Sequence, residues 1–182
     1  MRLDKLLERL EYEVVQGSDQ TEVTTLVNDS RKVEKGSVFV CISGAVSDGH
    51  RFAPDVAEKG AAALVVEKEV DVPADVTVIR VPDTRYALAL MSAAYFGYPA
   101  EKLKIIGITG TKGKTTTTYM IRSILEGVGH KVGLIGTIEA IIGDRKIPAA
   151  NTTPESFTIH QYFAEMVKEG CDSVVMEVSS QG

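Results

Sequence analysis

One seven-residue run, Gly110-Thr111-Lys112-Gly113-Lys114-Thr115-Thr116, constrains this chain more than any other segment. It follows an apolar, β-prone stretch, Leu103 to Thr109 (LKIIGIT), and precedes a helix expected from about Thr115 to Gly127. Strand, glycine loop and helix in that order allow a backbone to wrap around a phosphate. Gly110 and Gly113 let the chain curl so that N–H groups point inward at phosphate oxygens. The helix adds the positive end of its dipole. Lys114 reaches the β and γ phosphates as a point charge, and the Thr115 hydroxyl is placed to ligate Mg²⁺. The strict pattern asks for a glycine five residues before Gly113, where this chain has Ile108, so only the shorter core GTKGKT is intact. The bland alternative is a strand-to-helix connection rich in glycine and threonine.

Around that loop the chain reads as alternating strands and helices, which argues for βαβ units. Leu3, Leu6, Leu7 and Leu10 have helical spacing, and a polar stretch from Gln16 to Thr21 follows. Short apolar runs at 37–43 (SVFVCIS), 62–67 (AALVVE) and 76–81 (VTVIRV) predict buried strands. Helices are expected over 52–59, closed by Gly60, and over 85–96, capped by Asp83 or Thr84. Gly97-Tyr98-Pro99 breaks the pattern and places a domain boundary between about 97 and 103. Beyond it come a strand at 131–136, a hairpin over 138–148 turning at Gly143-Asp144, a helix at 158–168 and a strand at 173–178. The sequence stops four residues after that strand. A doubly wound sheet normally continues with a helix there, so a truncated second domain is expected.

Composition narrows the function classes. The chain has 182 residues, enough for one ordinary domain or two small ones, with 25% charged residues and a net charge of −5. A mildly acidic chain carries no electrostatic footprint for nucleic acid, although a local basic pocket for phosphate remains compatible with it. No apolar run approaches the ~18 residues of a membrane span, and the start, MRLDK, does not read as a signal peptide. A cytoplasmic location is the expectation. Cys41 and Cys171 follow no metal or redox spacing and read as small core thiols. His50, His130 and His160 lack metal-like partners in sequence and read as structural or solvated.

Three further clusters stand out. Asn151-Thr152-Thr153-Pro154-Glu155 offers amide and hydroxyl groups to a ligand, or Thr153 merely caps a helix. Glu177 leaves the last strand ahead of Val178, Ser179 and Ser180. A carboxylate at a strand end near a phosphate loop is the usual second contact for Mg²⁺, the alternative being a solvated strand-end glutamate. Asp29-Ser30-Arg31 and the loop from Gly44 to Gly49 border the strand at 37–43, where α/β folds bind ligands. Composition alone favours a surface ion pair for Asp29 and Arg31.

Taken together, the segments DSRKVEKGSVFVCISG at 29–44, DGHRF at 48–52, GAAALV at 60–65, ITGTKGKTTT at 108–117, NTTPE at 151–155 and MEVSSQG at 176–182 resemble the Mur ligase family. They span most of the chain in the family's order. The first-domain pattern is shared with the MurF type, whereas NTTPE and EVSSQ point to the MurE type, the UDP-N-acetylmuramoyl-tripeptide synthetases. The resemblance implies an α/β architecture: a small UDP-binding domain over 1–100, then an incomplete P-loop domain over 101–182, Rossmann-like with a mostly parallel sheet, that binds ATP. It implies an ATP- and Mg²⁺-dependent ligase joining a diamino acid, L-lysine or meso-diaminopimelate, to UDP-N-acetylmuramoyl-L-alanyl-D-glutamate through an acyl phosphate.

The same resemblance assigns residues. Gly110, Thr111, Lys112, Gly113, Lys114, Thr115 and Thr116 would hold ATP, with Lys114, Thr115 and Glu177 catalytic and Thr115 and Glu177 on Mg²⁺. Asn28, Ser30, Ala45, Val46 and Ser47 would hold the uridine nucleotide. Asn151, Thr152, Thr153 and Ser179 or Ser180 would hold the muramoyl-peptide side. Two positions depart from the family: Lys112 stands where asparagine is usual, and Gln181 where many relatives have histidine. Relatives carry further sequence that recognises the amino acid and supplies a carbamylated lysine. A monomer that does not complete ligation by itself is therefore the expectation. The competing readings are a nucleotide-binding module without catalysis and another ligase of the superfamily, such as a folylpolyglutamate or cyanophycin synthetase.

Overall fold

The computed structural model describes residues 1–44 and 48–179. Two compact units divide the chain, Met1–Tyr95 and Phe96–Gly182, and each is built on its own five-stranded sheet.

In the first unit the strands are β1 (Glu13–Gln16), β2 (Leu26–Val27), β3 (Val38–Val40), β4 (Ala63–Val66) and β5 (Thr77–Arg80), in the order β1-β5-β4-β3-β2. β2 to β5 run parallel, and β1 pairs antiparallel with β5 at the edge. The apolar runs are continuous because β3 and β4 are buried on both faces. Phe39, Leu64, Val66 and Val78 share one core with Ala53, Val56 and Ala57 of helix α2 (Ala53–Glu58). Helix α1 (Leu3–Leu7) buries its three leucines and packs on α3 (Thr84–Tyr95). Each fully buried leucine or phenylalanine is worth about 1.5–3 kcal/mol of transfer free energy. Asp83 caps α3, its carboxylate accepting the Tyr86 N–H at 2.9 Å. Thr84 instead gives its N–H and hydroxyl to Glu67, at 2.8 and 2.7 Å.

The second unit orders its strands β6-β10-β7-β8-β9. β6 (Lys104–Ile108), β10 (Ser173–Glu177) and β7 (Val132–Ile135) are parallel, and the hairpin of β8 (Glu139–Ile142) and β9 (Arg145–Pro148) is added antiparallel. Helix α5 (Ser156–Lys168) places Phe163 and Met166 in a core with Leu103, Ile135, Ile142, Val174 and Met176. Helix α4 (Lys114–Gly127) packs against β6, β7 and β10, yet only Thr118 of its residues is fully buried.

The expected strands and helices are present, with ends shifted by a few residues. β1 and β2 leave no signal in the sequence. β1 is short, exposed and without apolar alternation, as suits an edge strand, and β2 has only two residues. Among the described residues no helix is long and apolar enough to cross a membrane.

Candidate functional site: a buried carboxylate beside a phosphate loop

β10 lies between β6 and β7, and Glu177, its last residue, pairs in register with Ile108 at the end of β6. The loop that follows β6 therefore starts beside Glu177. Gly113 is the N-cap of α4 with φ +80°, a conformation that costs a side-chain-bearing residue roughly 1 kcal/mol. The Lys114 ammonium donates to the Gly110 carbonyl at 2.8 Å, across the mouth of the loop. A phosphate oxygen there competes for the same cation. Thr111, Lys112 and Thr116 are exposed around it.

Glu177 is 1% exposed. The Thr115 hydroxyl donates to Oε2 at 3.1 Å. The backbone N–H of Thr137 reaches Oε1 at 2.9 Å, and the Thr137 hydroxyl reaches Oε2 at 3.1 Å. Gly136 makes room: a Cβ there would sit 2.6 Å from Oε1. Among the described residues the carboxylate meets neutral donors alone, and a buried carboxylate balanced only by neutral donors is costly. A cation beside Oε2 and the Thr115 oxygen offsets that cost. The donors are hard oxygens, which suits Mg²⁺, a metal that completes its octahedron with phosphates and water. The residues present thus fit the ion that the fold implies.

The segment at 151–153 closes the same end of the sheet. The Thr153 hydroxyl donates to the Glu177 carbonyl at 3.1 Å and accepts the Ser179 N–H at 2.8 Å. Thr153 therefore ties the strand end in place and does not cap α5, whose N-cap is Glu155 without a side-chain bond. Thr152 lies 3.2 Å from the Thr137 hydroxyl. Asn151 lines a cleft of about 150 Å³ with Gly136, Pro154, Glu155, Thr158 and Tyr162.

In the first unit, Asn28 and Ser30 directly follow β2, at the C-terminal edge of the parallel strands. Asn28 is exposed, and the Ser30 carbonyl accepts from Lys59 at 2.8 Å. Arg31 clasps Asp29 through its backbone N–H and guanidinium, which holds the Asp29 carboxyl down to about 2. His50 accepts the Glu67 N–H on Nε2 at 2.9 Å, so its proton lies on Nδ1, facing Asp48 at 2.6 Å. His50 thus braces the 48–50 turn against the end of β4. Cys41 is fully buried, and burial pushes its thiol up to about 12; Cys171 is buried as well. Ala45, Val46, Ser47, Ser180 and Gln181 lie outside the described residues.

Thr137 and Gly136 were missed in the sequence. The signal available was position: both follow β7 directly, at the C-terminal ends of parallel strands where α/β sheets gather ligands.

The comparison with known proteins agrees with this geometry. Residues 22–96 match the Mur ligase family catalytic domain, and residues 108–182 match the Mur ligase middle domain. The chain belongs to the Mur ligase family. It is 52% identical over 180 residues to the UDP-N-acetylmuramoyl-L-alanyl-D-glutamate–2,6-diaminopimelate ligase of Clostridium perfringens, covering 99% of this chain and 37% of that protein. A solved structure of a ligase with the same name superposes with a TM-score of 0.76 at 23% identity, over 100% of this chain and 36% of that one. MurF from Acinetobacter baumannii gives a TM-score of 0.62 at 28% identity, over 98% of this chain and 35% of that one. This Mur ligase chain thus spans a little over a third of the relatives it matches.

Proposed function

We propose that this chain supplies the nucleotide-binding machinery of an ATP-dependent ligase that adds 2,6-diaminopimelate to UDP-N-acetylmuramoyl-L-alanyl-D-glutamate. The observation that carries the reading is the meeting of Thr115, from the glycine loop, with the buried Glu177 carboxylate at the end of the neighbouring strand. The choice of diaminopimelate over lysine follows the name of the Clostridium perfringens relative and of others like it.

In this reading the 110–116 amides and Lys114 cradle the ATP phosphates, and Thr115 and Glu177 would hold Mg²⁺, which would supply neutralisation of the phosphate charge. The γ-phosphoryl group passes to the free D-glutamate carboxylate, and ADP leaves. The amine of the diamino acid then attacks the acyl phosphate, the C–O bond breaks, phosphate departs, and the amine loses a proton as the amide forms. Asn28 and Ser30, with the 45–47 loop, serve the uridine nucleotide; Asn151, Thr152 and Thr153, with Ser179 or Ser180, serve the muramoyl-peptide side.

The test is calorimetric titration of UDP-N-acetylmuramoyl-L-alanyl-D-glutamate into the chain and into a Ser30→Ala, Asn28→Ala double variant. The reading expects saturable binding to the parent that weakens about tenfold in the variant, as loss of two hydrogen-bonding side chains implies. Equal binding by both chains, or binding by neither, contradicts it.

A further inference from the structure

We propose that Thr137 is a positioning residue that couples cation binding at Glu177 to ligand binding at Thr152. The inference rests on the nucleotide reading given above.

Thr137 sits just after β7, on the turn into β8. Two backbone hydrogen bonds hold that turn, Gly136 N–H to the Glu139 carbonyl and Ala149 N–H to the Ile138 carbonyl, both 3.1 Å. The backbone N–H of Thr137 is committed to Glu177 Oε1. Its hydroxyl is not committed in the same way. It lies 3.1 Å from Glu177 Oε2 and 3.2 Å from the Thr152 hydroxyl, and it has one hydrogen for two neighbours.

The charge on Glu177 decides where that hydrogen points. Without a cation, Oε2 is a buried anionic acceptor and the stronger claimant. Thr137 then donates to Glu177, and the Thr152 oxygen loses its claim on the Thr137 hydrogen. Once Glu177 and Thr115 hold a cation, Oε2 is neutralised and gains from Thr137 only a weak interaction. The Thr137 hydrogen turns to the Thr152 oxygen, and the Thr152 hydrogen points outward. Thr152 is half-exposed and follows Asn151, which lines the cleft. An outward hydroxyl hydrogen there meets an anionic or carbonyl oxygen of a bound substrate, so the cation releases the Thr137 hydrogen from Glu177 to Thr152 and strengthens Thr152 as a donor in turn. The substrate carboxylate and the nucleotide-bound metal are thereby drawn to the site together, and by linkage each strengthens the other's binding.

The experiment measures that linkage by calorimetry, with a non-hydrolysable ATP analogue plus Mg²⁺ as one ligand and UDP-N-acetylmuramoyl-L-alanyl-D-glutamate as the other. In the parent chain, saturation with the Mg²⁺-analogue should tighten the second ligand about three- to tenfold, the worth of one redirected hydrogen bond. Thr137→Val keeps the shape and the N–H but removes the hydroxyl. It should bring the coupling to about one while each ligand alone binds within about threefold of the parent. Thr137→Ser should restore coupling, and Thr152→Val, which cuts the relay at its other end, should abolish it. Coupling that persists in Thr137→Val, or is absent from the parent, overturns the proposal. A parent chain that binds no Mg²⁺-analogue, or a Lys114→Ala chain that binds it as tightly as the parent, overturns the nucleotide reading itself and the Thr137 role with it.

Discussion

Thr115 and Glu177 are 62 residues apart in sequence, yet the Thr115 hydroxyl donates to Glu177 Oε2 at 3.1 Å. The sheet order brings them together: β10 inserts next to β6, so the residue that ends β10 faces the loop that follows β6. A hydroxyl and a carboxylate so placed would supply two oxygen ligands to a Mg²⁺ ion, leaving the rest to phosphate oxygens and water. Glu177→Gln keeps the size and an acceptor oxygen but removes the charge. Mg²⁺-dependent nucleotide affinity should fall about tenfold or more, while binding of nucleotide in the presence of a chelator should not change. Paired titrations with and without Mg²⁺ check this, and an equal loss in both would show that Glu177 serves the fold alone.

Gly136 bears on the same carboxylate from the other side. An alanine there puts a methyl group 2.6 Å from Oε1, so either the strand end or the Glu177 side chain must move. Gly136→Ala should destabilise the second unit by about 1–3 kcal/mol, the usual cost of overpacking, and should weaken Mg²⁺-nucleotide binding by displacing Oε1 from the Thr137 N–H. Chemical denaturation followed by titration of the folded variant measures both effects.

Much of this was legible in the sequence because the relevant signals are local. A glycine loop between an apolar strand and a helix announces itself within about fifteen residues, and so did GTKGKT. The apolar runs that became β3, β4, β7 and β10 are continuous because both faces are buried. What stayed hidden depends on register. That Thr137 has its N–H and hydroxyl aimed at Glu177 follows from β10 lying beside β7, which no window of sequence contains. Thr153 illustrates the same limit. Its sequence suits a helix cap, but the close approach of the Glu177 carbonyl and the Ser179 N–H gives its hydroxyl better partners. Nor did sequence periodicity reveal that α4 would leave Met120 and Ile124 more than half exposed on its outer face.

Lys112 adds a positive charge beside Lys114 at the phosphate loop, and it is exposed. An exposed cation near a polyphosphate acts through a screened field. Lys112→Asn should weaken nucleotide binding about two- to fivefold at low salt and make the affinity less dependent on ionic strength. Affinities measured across a salt series decide it; identical salt slopes for parent and variant would contradict a role for this charge.

His160 gives a pH dependence with a definite sign. Among the described residues its buried Nδ1 meets no hydrogen-bond partner, and burial pushes the imidazole below its ordinary 6.5. The folded second unit therefore favours neutral His160, whereas the unfolded chain takes up the proton near 6.5. The unfolded state binds more protons in that window, so the His160 contribution is fully present above 6.5 and is lost as pH falls toward the folded value. Melting curves between about pH 5 and 8 should show a stability loss on acidification that is reduced in His160→Phe, the range in which an ordinary histidine titrates. The phenylalanine also removes the orphaned nitrogen.

Joint binding of Mg²⁺-nucleotide by the Gly110–Thr116 loop and Glu177 is read out by calorimetric titration of Mg²⁺-ATP into the chain and into Lys114→Ala. Binding to the parent should be saturable, strengthened by Mg²⁺ and lost in the variant, with the variant retaining the parent's melting behaviour. Absence of binding to a folded parent chain, or unchanged binding in Lys114→Ala, would contradict it.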